Sequence, residues 1–473
     1  MSDGERKHPL RARALLGVAL ALGLLLPLGA RGEETSNVYD LDRCLRIARE
    51  TNRGLQAARV EEEKAGFRVR EAWAAALPQI GLDGRIGRNF KLPSFYFGGF
   101  PSFGGEEDTL NGEGGEEIPE NIRIEVGSRY DYTATLSLTQ PLWLAGKVGA
   151  ALQAAKIYNR SAKEDVEASE QGVVLLVKSL FYRALLAEAE AEVYRSARDR
   201  ALHHRYAASL RRERGLASEF ELLRAEVDAS EADPWVIAAE NEAARARNDL
   251  KTALGIDVRE PIEVRGALEY APILPEKIRG RGGRAAEENP DLAVLALRAR
   301  LLEQNLRVVR ADRFPNFYLT GQYQFSGNSD DLRFSEQERT SSSFGGVYAT
   351  FPIWTSGATS SRIRQAEAEL RIARIRLAEA EEDVRKAVVA AELDIESAEK
   401  RLAASEKSLA YAEKAHAIAE TRYESGLLSQ IELLDARLAL TRSRVAHLRS
   451  IHDALLAQAV WMRVVGISWG EEW

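Results

Sequence analysis

The chain carries an internal duplication, and a repeat of this length constrains the fold more than any single motif could. Asn52, Leu55 and Pro78 recur at the same spacing as Asn289, Leu292 and Pro315. Pro141, Trp143 and Gly146 of QPLWLAGK recur as Pro352, Trp354 and Gly357 of FPIWTSGA. In that register RRERGLASEFELLRA, starting at Arg211, lies over RYESGLLSQIELLDA, starting at Arg422. Gly215 therefore pairs with Gly426, Ser218 with Ser429 and Glu221 with Glu432. The interval from Pro78 to Pro141 exceeds that from Pro315 to Pro352, so the first copy holds an insertion, and insertions belong in loops.

Each copy reads helix, two strands, very long helix, short turn, helix. The first repeat spans residues 31–254, with a hairpin at 79–140, a long helix at 147–214 and a helix at 219–254. The second spans 285–466, with a hairpin at 316–352, a long helix at 358–425 and a helix at 430–466. Residues 255–284 form a linker with strand-like IEVRG and basic RGRGGR, and 467–473 form a C-terminal tail. Pro234 predicts a kink or an early end in the helix after the first turn. Between Gly357 and Gly426 there is neither proline nor glycine. At 1.5 Å per residue that stretch makes a helix on the order of 100 Å long. Its apolar positions step three and four from Ile363, Ala366 and Leu370 through Ala419 to Tyr423, with one extra four-residue step from Ala391 to Ile395. That pattern is a heptad seam with a stutter, in which alternating alanines allow close backbone approach.

Residues 1–30 read as a secretory signal peptide. Arg6, Lys7, Arg11 and Arg13 precede the apolar run ALLGVALALGLLLPLG, and Ala30 supplies the small residue at the cut. The run is shorter than the ~20 residues a spanning helix needs, which favours cleavage over anchoring. No later apolar run is long enough to span as a helix, and the mean hydropathy is −0.30. Entry into a membrane would have to be by strands. Tyr130, Tyr132, Ala134, Leu136 and Leu138 alternate with Asp131, Thr133, Thr135, Ser137 and Thr139. Phe317, Leu319, Gly321, Tyr323 and Phe325 alternate with polar residues in the same way, and weaker strands fit at Ile80 to Phe90 and Val347 to Phe351. A soluble half-buried sheet shares this alternation. The signal peptide, the aromatic strand ends and the lack of another core beneath the strands favour a transmembrane barrel. Four strands cannot close a barrel, so two, three or four chains must combine. The loops are expected at Lys91 to Ser128, which is rich in acids without calcium-loop spacing, and at Gly327 to Ser343.

With 65 Lys+Arg against 72 Asp+Glu and a net charge of −7, no basic block interleaved with aromatics appears, which excludes nucleic acid as a partner. The single cysteine, Cys44, cannot form an intramolecular disulfide and reads as a small apolar residue on a helix face. His203 and His204 are adjacent and so point to different faces, while His416, His447 and His452 are scattered, so no metal site is expected. No phosphate loop, nucleophile elbow or other catalytic constellation is present, and the chain reads as a non-enzyme without a cofactor.

The duplicated plan, the PLW-x-x-G and FPIW-x-x-G joints and RYESGLLSQIELLDA together resemble the TolC-type outer-membrane channel family, also called outer membrane factors. The resemblance covers nearly all of the mature chain. It implies a mainly α fold with a membrane β-barrel. In such a fold three chains contribute four transmembrane strands each to a twelve-stranded barrel, continued by a coiled-coil helical tunnel into the periplasm. It further implies a passive duct for tripartite efflux or type I secretion, docked to a periplasmic adaptor (membrane fusion) protein and an inner-membrane pump of RND, ABC or MFS type. The turns at Gly215, Leu216 and Ser218 and at Gly426, Leu427 and Ser429 would be the tips that meet the adaptor. Glu432 and Asp435 fall where members place the acidic ring of a closed periplasmic gate, and Tyr423 and Glu221 where they place a latch. Leu428 stands where some members carry a basic residue, and Arg224, opposite Asp435 in the repeat, is a candidate substitute. Ser218 with Glu221 and Ser429 with Glu432 also spell capping boxes, a role compatible with gating. A non-channel coiled-coil envelope spacer is the alternative reading.

Overall fold

The structure is a computed structural model that describes residues 37–98, 121–330 and 339–467. The expected signal peptide, the middle of the acidic loop and nearly all of the tail lie outside the described residues. In chain order the first half comprises β1 (Val38–Tyr39), α1 (Leu41–Thr51), α2 (Arg53–Ala74), β2 (Gln79–Arg88), β3 (Ser94–Gly98), β4 (Asn121–Glu125), β5 (Tyr130–Trp143), α3 (Lys147–Glu213) and α4 (Glu219–Leu254). The second comprises β6 (Glu263–Val264), α5 (Pro275–Gly282), α6 (Ala285–Glu288), α7 (Pro290–Ala311), β7 (Asn316–Ser329), β8 (Arg339–Thr350), α8 (Ala358–Glu424) and α9 (Gln430–Val465).

The duplication is exact in helix length: α3 and α8 each have 67 residues, and α4 and α9 each have 36. The recurring Asn and Leu have a physical reason. The Asn52 side chain accepts from the Leu55 amide at 3.1 Å, and Asn289 from the Leu292 amide at 3.3 Å, each capping a helix whose leucine is buried. α3 is the central element, packed against α2, α4, α7 and α9, whereas α8 packs against α7 and α9. The α8 seam faces those partners: Ile363, Ala366 and Leu370 are buried near its start, and Ala391, Ile395, Ala398, His416 and Ala419 further along. α4 does not end at Pro234 but runs through it to Leu254.

Among the described residues, three apolar clusters take the place of a single globular core. In one, Cys44, Leu45, Leu55, Val177, Phe181 and Leu250 join α1, α2, α3 and α4, and burial pushes the Cys44 thiol pKa up to about 12. β1 and β6 pair in parallel beside it, which ties the linker to the first repeat. A second gathers Trp461 and Val465 of α9 with Val388, Ala391 and Ile395 of α8. The third joins Leu306 of α7 to Ile363 and Leu370 of α8.

β2, β5, β7 and β8 form one antiparallel sheet in that order. The register puts Ile80 opposite Leu138, Leu82 opposite Leu136 and Ile86 opposite Tyr132, and then Leu136 opposite Tyr323 and Ala134 opposite Phe325. One face is therefore apolar across three strands, and it is uncovered: Leu82 is 75% exposed. The opposite face carries Asp83, Thr135, Gln324 and their neighbours. Two expectations about the loops are corrected. The stretch Lys91 to Ser128 is not all loop, because β3 and β4 pair across it as a two-stranded ribbon from Ser94↔Glu125 to Gly98↔Asn121. The second loop is shorter than Gly327 to Ser343, since β7 continues to Ser329 and β8 begins at Arg339. The Ser- and Gly-rich start of β8 has low strand propensity, and backbone pairing to β7 supplies what the side chains do not. On β8 the alternation inverts, with Ser341 and Ser343 on the apolar face and Phe344 on the polar one.

Candidate functional site at the paired helix turns

Two turns, between α3 and α4 and between α8 and α9, place every residue singled out from the sequence. Each long helix ends on a glycine in the left-handed region, Gly215 at φ 74° and Gly426 at φ 73°. The Leu216 amide donates to the Arg211 carbonyl at 2.8 Å and the Gly215 amide to Arg212 at 2.8 Å, and Leu427 and Gly426 repeat this with Arg422 and Tyr423. This is a Schellman stop, which needs the positive φ that glycine adopts without penalty. It leaves Leu216 and Leu427 at the apex, with Leu427 78% exposed.

The following helices start on capping boxes. The Ser218 amide donates to Glu221 Oε2 at 3.0 Å, and the Glu221 amide to Ser218 Oγ at 3.2 Å. Ser429 and Glu432 do the same at 3.0 and 3.4 Å, with a further bond from Ser429 Oγ to Glu432 Oε2 at 2.7 Å. Bonds from the Ser429 side chain and backbone hold the Glu432 carboxyl below the usual carboxylate range. Both glutamates therefore serve as caps within the chain, while Asp435 is exposed and uncommitted to the cap. Ser429→Ala should cost about 1 kcal/mol by loss of a cap. The check is chemical denaturation of the full chain against Leu427→Ala, an exposed position in the same turn that leaves the capping box intact.

Tyr423 and Glu221 are not bonded to each other. Tyr423 sits edge-on to His204 of α3 with ring centroids 5.3 Å apart, and the Arg211 guanidinium lies 5.3 Å from its ring centre. Burial raises the Tyr423 pKa. Arg224, half-buried on α4, forms no ion pair with Asp435 in the single chain.

The residues that join the two turns were not legible from spacing. The Gln430 side chain donates to the Glu221 carbonyl at 3.0 Å and lies 3.4 Å from His204 Nε2. One buried amide thus ties the start of α9 to both α3 and α4. Nearby, Glu420 stands between His416 and Arg437, with both contacts at 3.9 Å. Burial, the largest influence, lowers the pKa of His204 to about 4 and also lowers that of His416. The sequence signal that could have found this cluster is a histidine, His416, standing in a seam otherwise made of alanine and large apolar residues. Among the described residues no group of acids, histidines and cysteine is placed to hold a metal ion.

A model of the outer membrane efflux protein family matches residues 44–256 and 282–464. This chain belongs to that family, and its place is the outer membrane with the helices extending into the periplasm. The fold is shared with several solved structures. The outer-membrane channel OprN is 18% identical, with a TM-score of 0.71 over 91% of this chain and 90% of that one. The Campylobacter jejuni CmeC outer membrane channel is 17% identical, with a TM-score of 0.70 over 92% of this chain and 87% of that one. VceC, the outer membrane protein of Vibrio cholerae, is 16% identical, with a TM-score of 0.69 over 90% and 96%. No curated protein matches the sequence.

Proposed function

We propose that three copies of this chain form the passive trans-periplasmic duct of a tripartite efflux or type I secretion system. Each contributes its four-stranded sheet to a twelve-stranded transmembrane barrel and its helices to a tunnel below. The observation that carries this reading is the sheet itself, with an exposed apolar face and open edges at β2 and β8. Three successive antiparallel pairings leave β2 and β8 running in opposite directions, so β8 of one copy meets β2 of the next as another antiparallel pair. Closure removes edges that lipid does not tolerate, and four strands are too few to close alone. A coiled-coil spacer would leave the apolar face without a purpose.

The turns at Gly215 to Ser218 and Gly426 to Ser429 are the periplasmic tips, and exposed Leu216 and Leu427 give an adaptor an apolar contact there. An inner-membrane pump of RND, ABC or MFS type drives the cargo. Glu432 and Asp435 from three chains gather six carboxylates around the closed aperture, a ring that favours cations. Tyr423, packed on His204, and Glu221, bonded through its carbonyl to Gln430, hold the closed tips, with Arg224 as a further charge at the same level. The experiment is single-channel recording in a planar bilayer. Glu432→Ala combined with Asp435→Ala should raise conductance and weaken block by a multivalent cation. Unchanged conductance and block would remove the gate from these residues, and absence of any conductance in the unaltered protein would remove the duct.

A further inference from the structure

Above the tips, a cavity of about 500 Å³ opens between α3, α4 and α9 and is complete within one chain. One wall is aromatic: Tyr194 and Trp235 stack with ring centroids 6.1 Å apart and planes within 12°. Leu438 and Val445 add apolar surface from α9. The other contribution is positive charge. Arg437 lines the cavity with a side chain only 15% exposed, and its Nε and Nη1 are buried without any hydrogen-bond partner. Its nearest carboxylate oxygen, from Glu420, is 3.9 Å from the third nitrogen, Nη2. Arg200, also on the wall, donates to the Ser196 hydroxyl at 2.6 Å. Its pKa is lowered by burial and then by the positive charges of Arg444 and Arg437. Asp228 faces the same space and hydrogen-bonds neither guanidinium.

A buried guanidinium with unmade bonds is costly; its Nε and Nη1 are closed to solvent as the side chain stands, and a carboxylate or sulfonate satisfies the planar fork once the guanidinium turns toward the cavity. Aromatic faces beside it accept a flat apolar body, and the volume is that of a small-molecule pocket. We propose that this cavity binds an organic anion with one carboxylate or sulfonate, seated at Arg437 and Arg200, on a body of one or two rings laid against Trp235 and Tyr194. Such a ligand bridges α4 of the first repeat to α9 of the second, the two helices that start at the tips. The site is independent of whether the tips gate a channel.

The test is calorimetric titration of 2-naphthoate into the full chain in lipid nanodiscs, with empty nanodiscs subtracted. Saturable binding of one molecule per chain is expected. Arg437→Gln should weaken it about tenfold or more, the loss expected of a charge-assisted hydrogen bond, and Arg200→Gln and Trp235→Ala should also weaken it. 2-Naphthol, with the same rings and no carboxylate, should bind at least about tenfold more weakly than 2-naphthoate. Equal affinity in the unaltered chain and in both arginine variants, equal affinity for naphthol, or no saturable heat at millimolar probe would overturn the proposal. Arg437→Gln removes a buried charge whose ion-pair contact is the long one to Glu420, and a far-ultraviolet spectrum matching the parent shows that the helices are intact.

Discussion

Trp461→Ala is expected to destabilise the chain by about 3–5 kcal/mol, the range for deleting a large buried aromatic and leaving its cavity. Trp461 is 1% exposed and is the largest fully buried side chain among the described residues. It sits where the end of α9 meets α8 and the linker, against Val388, Ala391, Ile395 and Ile273. Two of its neighbours in that cluster, Ala285 and Ala391, carry only a methyl group and cannot reach into the space an indole leaves. The same tryptophan carries a cost of its own, since its indole Nε1 is buried without a partner. Trp461→Phe removes that unsatisfied donor while keeping most of the apolar area, so the lost volume and the relieved donor offset one another. The phenylalanine variant should fall within about 1 kcal/mol of the parent. Denaturant midpoints of the full chain, measured for both variants together, decide the matter. An alanine variant as stable as the phenylalanine variant would mean that packing around this side chain does not hold the end of α9 to α8 and the linker.

Much of this architecture was legible because long periodic patterns carry their own redundancy. The seam from Ile363 to Tyr423 fixes which side of α8 is covered, and every position on it is buried or half-buried in the structure. Period-two alternation in Tyr130 to Thr139 likewise fixes both faces of β5, and the register of β2 and β7 continues them. Where pattern is weak, reading fails for a physical reason. β3 and β4 are separated by residues with no strand character, and β8 opens with RTSSSFGG, which no side-chain preference marks as a strand. At the tips, Gly215, Gly426 and the two capping boxes follow from local chemistry, because each motif closes within a few residues. The links between the turns do not close locally. Gln430 meets His204 across 226 residues of sequence. A buried polar contact of that kind depends on how two hairpins pack, and neither residue type nor spacing announces it.

Acid should weaken this contact before the rest of the tip. His204 is 5% exposed, and its neutral ring is the form that packs on Tyr423 and faces Gln430. Burial is the main reason its pKa falls to about 4, and the charges of Arg437 on α9 and Arg211 on α3 add to the effect. The unfolded chain takes up this proton near the ordinary histidine pKa of 6.5, whereas the folded chain refuses it until about 4. The contribution is therefore fully present above pH 6.5, declines as pH falls through that window, and amounts to about 3 kcal/mol lost per chain by its lower end. His416 is shifted in the same direction and adds to the slope. Carboxylates titrate at similar pH, so the parent curve alone does not isolate the imidazole. His204→Gln keeps a polar side chain beside Gln430 but cannot titrate, and should flatten the decline between pH 7 and pH 4.5 by about 2–3 kcal/mol. Denaturant midpoints across that range for parent and variant give the difference directly. If the two curves run parallel, His204 is either already protonated in the folded chain or solvated in both states, and the tip contact then carries no acid sensitivity of its own.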